Sequence, residues 1–483
     1  METLLHIDNE AVSADDGATF NRIAPLTGKT VTRAAAAGVK ESLAAVDSAH
    51  AAFKDWSKTG PGQRRALLLK AADEIEARMN DFIGAMQAEV GATALWAGFN
   101  VMLAANLFRE AAGLATQIQG ETIPTDKPGT MSMTIRQPVG VILSIVPWNG
   151  PVVLAARAIA YPLVCGNTVV FRASETSPRT HELIAEAVYA AGFPKGTLNF
   201  ITHDVTAAPE AIEAIIAHPA VRRVNFTGST TVGRIIGEKA GKHLKRCILE
   251  LGDKSPMIVL DDAKIDDAVI AGVFGAFLYQ GQICMTTERI IVDEKIADEY
   301  VAKFAARANA LPAGDPTAQA ACVLGPVISL KAADRLKGLL QDAIAKGARL
   351  VAGGPGEGAL MPATVLDGVT SEMRIYHEET FGPIVSIIRA KDTEDAVRIA
   401  NDTQFGLSAA VFGQNVSRAL DVARRIDTGS VHINGSTVQN EAQAPYGGTK
   451  SSGFGRFDGR AVIDEFTELK WLTIEQSDQG YPF

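Results

Sequence analysis

From residue 139 onward the chain alternates short apolar runs with amphipathic stretches. The runs "VGVILSIV", "NTVVFR", "TLNFIT", "VRRVNF" and "RCILEL" recur with helix-patterned segments between them. Five strands separated by helices predict βαβ units around a parallel sheet, which is a doubly wound α/β domain. A second alternation follows, in which "PMIVL", "RIIV", "RLVAG", "PIVSII", "SAAVF" and "GSVHIN" read as strands. Helices such as "AVRIANDT" and "SRALDVARRI" lie between some of them. The change near residue 252 sets a boundary between two such domains. Upstream, residues 34–118 are alanine-rich with helical periodicity, as in "ESLAAVDSAHAAFKDW". The segment "ETIPTDKPGTMSMTIRQP" then breaks that pattern. Its threonines, prolines and alternating polarity predict a hairpin or a projecting strand pair. The tail "EFTELKWLTI" reads as an edge strand.

At 483 residues the chain is too long for one simple core, in keeping with two or three domains. The net charge of −9, with acidic and basic residues interspersed, argues against nucleic acid as a partner. Four scattered cysteines without C-x-x-C spacing fit neither a disulfide framework nor a zinc site. No metal is therefore expected, and a reducing compartment is. No basic-then-apolar leader opens the chain. No uncharged apolar run reaches the roughly 18 residues of a membrane span. The best candidate, "AARAIAYPLVCGNTVVF", is broken by Arg157, Pro162 and Asn167. The expectation is a soluble cytoplasmic protein acting on a small molecule, without a membrane partner.

A doubly wound sheet binds ligands beyond the carboxyl ends of its strands. "FRASE" (171–175) ends a strand there with Arg172 and Glu175 just beyond it. A carboxylate so placed hydrogen-bonds ribose hydroxyls and repels a 2′-phosphate. "FTGSTTVG" (226–233) brings Gly228 and Ser229 to a helix N-terminus whose free N–H groups suit a phosphate. The G-x-G-x-x-G spacing is absent, and "TGST" alone more often means a plain N-cap. "LELGDKSP" (249–256) puts Glu250 at a strand end with apolar flanks, which favours a general base; capping or a salt bridge is the blander meaning. "VPWNGP" (146–151) brings Trp148 and Asn149 to another strand end, where the carboxamide serves an oxyanion or forms an Asx turn. In "LYQGQICMTTERI" (278–290), Cys284 follows a predicted helix (about 266–280) and precedes a strand. Cys165 and Cys247 sit in apolar runs, as inert buried cysteines do, whereas a polar, glycine-containing loop fits a nucleophile.

Taken in order, "PWNGP", "FRASE", "GFPKGTLN", "FTGSTTVG", "LELGDKSP", "GQICMTTER", "EETFGP" and "PYGGTKSSGFGR" resemble the aldehyde dehydrogenase superfamily. The resemblance runs from about residue 20 to 475 and is nearest to the branch oxidising aromatic aldehydes such as vanillin, benzaldehyde and salicylaldehyde. It implies an aldehyde dehydrogenase-like α/β fold of three parts. These are a cofactor-binding domain (1–118 and 138–251), a catalytic domain (252–455) and a small β oligomerisation element (119–137 and 456–483). A homodimer or a dimer of dimers follows from the last. The resemblance makes Cys284 the nucleophile and Glu250 the general base. Asn149, helped by the backbone N–H of Cys284, becomes the oxyanion donor. It assigns NAD to Trp148, Arg172, Glu175, Gly228, Ser229, Glu379 and Phe381, with Glu175 favouring NAD over NADP.

Three residues depart from the family pattern. Arg172 stands where lysine is usual, which leaves tolerance of a 2′-phosphate open. Asp253 replaces the second glycine of Leu-Gly-Gly-Lys, so the backbone there is expected to differ slightly. Phe457 follows "GFGR", where many members carry glutamate, which puts a proton path at that position in doubt.

Gly150 and Arg157 occupy positions where many relatives have bulky aromatics. Gly150 is expected to leave room for a flat ring, and Arg157 to favour a ring bearing a hydroxyl. Trp96, Phe99 and Leu103 share a helical face and line the mouth of the pocket, or else form an ordinary core stripe. Salicylaldehyde, oxidised to salicylate, is the expected substrate. Oxidation of an aliphatic aldehyde or a semialdehyde such as succinate semialdehyde is the alternative. An acylating relative would pass the thioester to coenzyme A, but Glu250 argues for water. A non-enzymatic protein on this fold would not need Cys284, Glu250 and Asn149 together.

Overall fold

The computed structural model describes residues 1–318, 322–475 and 481. Five parallel strands form the heart of an eight-stranded sheet: Val141–Ile145, Thr168–Arg172, Leu198–Ile201, Val221–Thr227 and Arg246–Glu250. Across the sheet they run, by first residue, Arg246, Val221, Val141, Thr168, Leu198. The chain thus builds outward on one side of Val141–Ile145 and then returns to build on the other. That reversal opens a crevice at the carboxyl ends of the strands. Alternate residues of the strands enter two separate cores. Ile142, Val169 and Phe171 join one, and Val141, Leu143 and Val170 join the other. Burial on both faces is why these strands read as continuous apolar runs. Helices Pro151–Val164, Pro178–Ala190, Ala208–Ala217 and Thr230–Lys242 make the crossovers.

A second sheet of seven strands is ordered, by first residue, Arg349, Thr364, Ile384, Arg289, Pro256, Ser408, Ser430. Its pairs are parallel except Arg349–Ala352 with Thr364–Asp367. The two β-like segments foreseen at the ends of the helical region and of the chain meet in one antiparallel ribbon. Met131–Pro138 pairs with Thr467–Ile474 along its whole length. The ribbon projects apolar side chains outward, with Trp471 68% exposed. The expected element 456–483 is not all ribbon, because Phe457, Val462 and Phe466 are buried against the body of the protein. Residues 476–480 and 482–483 of it lie outside the described residues.

Some edges were not foreseen. The hairpin Leu5–Ile7 with Glu10–Val12 extends the first sheet beyond Leu198–Ile201. At the opposite edge Gly453–Phe454 pairs antiparallel with Arg246–Glu250. The stretch just before residue 455, grouped by sequence with the second domain, therefore lies on the first sheet. Among the described residues no helix is long and apolar enough to cross a membrane.

Candidate active site

Three strand ends build one wall of a cleft at the crevice. Pro147, Trp148 and Asn149 follow Val141–Ile145, and Thr227, Gly228 and Ser229 close or follow the next strand. Glu250, Leu251 and Gly252 come from the third. With Cys284, Arg335, Glu379 and Phe381 they line a cavity of about 330 Å³. Ser229 is an N-cap, its Oγ accepting from Val232 N at 3.3 Å, and the helix start it caps borders this cavity. A β-carbon on Gly233 would lie 2.3 Å from Leu251 Cδ2, so glycine lets this helix pack close to the strand end.

The loop 379–381 forms the opposite wall and is held from behind. Glu288 accepts from Thr380 N at 2.7 Å and Phe381 N at 2.9 Å, and pairs with the buried Lys254 at 2.6 Å. Phe381 takes a φ of 47° and packs edge-on against Trp148, with 5.8 Å between ring centroids. Glu379 accepts from Asp253 N at 3.0 Å. Burial, then the charge of Glu288, push its carboxyl up to about 8. Arg172 and Glu175 stand at the neighbouring strand end and pair with each other at 2.9 Å. They are not among the residues lining the cavity that holds Cys284.

The segment before the cysteine is a strained turn. Helix Ile265–Phe277 ends sooner than expected, and Tyr279, Gln280 and Gly281 take φ values of 49°, 54° and 69°. Non-glycine residues in this region cost about 1–3 kcal/mol each and persist only where their surroundings fix them. Here Gln280 Nε2 donates to Pro326 O at 2.9 Å, and Gln282 Oε1 accepts from Ile328 N at 2.9 Å. A β-carbon on Gly281 would lie 2.4 Å from Gly382 O. The glycine and glutamines flanking Cys284 hold the backbone that presents it.

Cys284 also lines a second cavity of about 310 Å³ with Trp96, Phe99, Leu103, Gly150, Leu154, Arg157, Met285, Val438 and Tyr446. Cys284 and Asn149 line both cavities, so these two residues are shared between them. Trp96 stacks on Tyr279 at 5.0 Å and on Phe99 at 5.8 Å, and its Nε1 donates to Asn149 O at 3.2 Å. The helical stripe is thus core and pocket wall together. A β-carbon on Gly150 would sit 3.1 Å from Val153 Cγ1 and 3.5 Å from Leu154 Cγ, so its absence keeps this wall open.

Asn149 is buried, and among the described residues its carboxamide bonds to no protein group, so no Asx turn uses it. Glu250 is 1% exposed and its Oε1 has no partner, which removes the capping and salt-bridge readings. Burial pushes its carboxyl up to about 7, against the opposing charge of Arg157. Burial and then the charge of Glu250 push the Cys284 thiol well up, while a hydrogen bond with Tyr446 draws it down.

Arg157 is held by the protein as well as lining the pocket. Its Nε and Nη2 face Asp458 at 3.1 and 2.8 Å, and its guanidinium lies 4.3 Å over the Tyr446 ring. Those donors are engaged by the protein rather than offered to a hydroxyl on a substrate ring. Asp253 accepts from Leu407 N and Ser408 N, both at 3.1 Å, so the residue in place of glycine ties the Glu250 loop to the second sheet. Phe457 exchanges two backbone hydrogen bonds of 2.7 Å with Tyr446.

Comparison with known proteins decides the family: the match to the aldehyde dehydrogenase family spans residues 12–472. The chain belongs to the aldehyde dehydrogenase family. The enzyme is 62% identical over 483 residues to a salicylaldehyde dehydrogenase of Pseudomonas putida, with both chains covered in full. It is 52% identical over 482 residues to a vanillin dehydrogenase of Pseudomonas fluorescens, again with full coverage of both. The crystal structure of a salicylaldehyde dehydrogenase from Pseudomonas putida G7, complexed with salicylaldehyde, matches its fold with a TM-score of 0.99 at 60% identity, covering both chains completely.

A nicotinamide dinucleotide fits the cleft of this aldehyde dehydrogenase on its own geometry. A capped helix N-terminus and the Glu379 carboxyl line it, and the buried, unpartnered Arg172 Nε lies at the neighbouring strand end, outside that lining. His6, Glu182 and Glu186 bring metal-type ligands together elsewhere, but Arg179 bridges the two glutamates at 2.6 and 2.7 Å. Sequence reading did not single out Tyr446, although "PYGGTK" contains it, because nothing local marks a tyrosine that meets a cysteine 162 residues away.

Proposed function

We propose that this aldehyde dehydrogenase oxidises aromatic aldehydes to carboxylates with NAD, and that salicylaldehyde is the substrate its pocket suits best. One observation carries the reading: Cys284 lines both an aromatic-walled cavity and the cleft beside the strand ends. Trp96, Phe99 and Gly150 line the same pocket as Cys284, so aromatic faces and an uncluttered stretch of backbone are available to a planar ring next to the nucleophile. The relatives named for salicylaldehyde and vanillin support the same substrate class.

In the proposed sequence the Cys284 thiol loses its proton to solvent and the sulfur adds to the aldehyde carbon, whose carbonyl π bond breaks to leave an oxyanion. The oxyanion of the resulting thiohemiacetal meets the Asn149 carboxamide and the backbone N–H of Cys284. NAD, when bound in the cleft, would supply the hydride acceptor that this oxidation to a Cys284 thioester requires. Glu250 then removes a proton from a water that attacks the thioester, and the carboxylate product departs. A carboxyl poised at about 7 suits this duty, because it is substantially ionised at neutral pH and still basic. Arg172, Glu175, Gly228, Ser229 and Glu379 would hold the cofactor in this scheme, with Trp148 and Phe381 beside it in the cleft.

Two further assignments belong to the same reading. The exposed ribbon covers the free edge of the strand Ser430–Ile433 in a second copy, which makes a homodimer or a dimer of dimers. The four free cysteines suit a reducing cytoplasm. Assay of salicylaldehyde, benzaldehyde, hexanal and succinate semialdehyde with NAD and with NADP tests the function. The aromatic aldehydes with NAD should show the highest kcat/KM. Preference for succinate semialdehyde would overturn the substrate reading.

A further inference from the structure

The segment after residue 440 contributes a side chain that touches the nucleophile. Tyr446 places its hydroxyl 3.0 Å from Cys284 Sγ. Its ring is fixed from two directions. Backbone hydrogen bonds of 2.7 Å join it to Phe457 both ways, and the Arg157 guanidinium covers its face at 4.3 Å. Asp458 holds that guanidinium with both carboxylate oxygens, at 3.1 and 2.8 Å. Asp458 is fully buried with a φ of 64°, a conformation aspartate tolerates better than most residues. Asn440 Nδ2 donates to its second oxygen at 3.4 Å.

We propose that Tyr446 is a further catalytic residue whose hydroxyl donates a hydrogen bond to the Cys284 thiolate, and that Arg157 and Asp458 are the positioning pair that aims it. This rests on Cys284 as the nucleophile. The chemistry follows from the surroundings of the sulfur. Glu250 faces it with a carboxyl group, Arg157 lies behind Tyr446, and Glu379 and Arg335 line the cofactor side of the shared cavity. A partly buried thiolate beside a carboxylate is costly unless donors meet it. Burial keeps the phenol protonated, so its proton is available to a sulfur acceptor. A hydrogen bond to an ionised acceptor is stronger than one between neutral groups. The cation over the ring face draws on its π density and makes the O–H a better donor. Arg157 therefore acts through Tyr446.

The test is the pH dependence of Cys284 alkylation by iodoacetamide in the full-length enzyme, wild type and Tyr446→Phe, read by the mass of the Cys284 peptide. In that reaction a sulfur–carbon bond forms, iodide leaves and the thiol proton passes to solvent. The phenylalanine variant keeps the ring and loses only the hydroxyl. Its profile should move about one pH unit to the alkaline side, with alkylation at neutral pH roughly tenfold slower and NAD affinity unchanged. Asp458→Asn should give a smaller shift in the same direction, because it loosens Arg157 without touching the phenol. Arg157→Lys, which keeps a cation, should shift the profile less than Arg157→Ala does. An unchanged profile in Tyr446→Phe, or faster alkylation because the tyrosine merely shields the sulfur, overturns the proposal. No aldehyde is present in this experiment, so its failure is distinct from failure of the substrate reading.

Discussion

Replacing Glu250 with glutamine removes the proposed base while keeping nearly the same shape, and the structure sets the size of the effect. The carboxyl is buried, its Oε1 has no partner, and its pKa is pushed up to about 7. The direction follows from the charge. An acid raised to this value is neutral below it, so base catalysis is present above about 7 and fades as pH falls through it. Between about pH 6 and about pH 8 the ionised fraction climbs from roughly one tenth to roughly nine tenths. A wild-type rate limited by thioester hydrolysis should therefore rise about tenfold over that interval. General-base catalysis typically contributes about 10²–10⁴-fold, so steady-state kcat of Glu250→Gln should fall by that order and lose this pH dependence. Stopped-flow detection of NADH separates the steps. The variant should retain a rapid burst of about one equivalent per site, followed by a slow linear phase. The reasoning is refuted if the burst disappears while the linear phase stays fast, or if the variant keeps the wild-type steady-state rate across pH.

Two substitutions probe the rest of the site. Asn149→Ala should lower kcat by about 10²–10³ with NAD affinity retained, since Trp96 Nε1 still anchors the backbone carbonyl of that residue; an unchanged kcat would remove the carboxamide from the oxyanion site. Glu175→Gln removes the strand-end carboxylate and frees Arg172 from its partner, so the ratio of kcat/KM for NADP over NAD should rise about tenfold or more. An unchanged ratio would mean that cofactor choice is made elsewhere.

How far the sequence reveals this enzyme depends on how local each signal is. The parallel strands of the first sheet are buried on both faces, so each reads as an apolar run, and the residues that follow them necessarily arrive at the crevice. Trp148, Asn149, Ser229 and Glu250 were legible for that reason. The Cys284 loop was legible as an irregularity, though not the three consecutive left-handed residues that shape it. The hairpin at Leu5–Val12 and the strand Gly453–Phe454 were missed because they are short edges with mixed polarity. The Asp458 partner of Arg157 was not legible because it lies 301 residues away, and an arginine in an apolar helix gives no sign of where its donors point. Tyr446 was hidden in the same way. Chemistry created by long-range contacts leaves no periodic trace in the chain.

The central claim is that the aldehyde carbon becomes bonded to one sulfur before water releases it. Intact-protein and peptide mass measurement of Glu250→Gln, quenched in acid after brief reaction with salicylaldehyde and NAD, tests this most directly. The account predicts one added salicyloyl group per chain, carried by the peptide containing Cys284 and absent without NAD. Product formed with no acylated Cys284 trapped, or an acyl group found on Cys165, Cys247 or Cys322 instead, would contradict it.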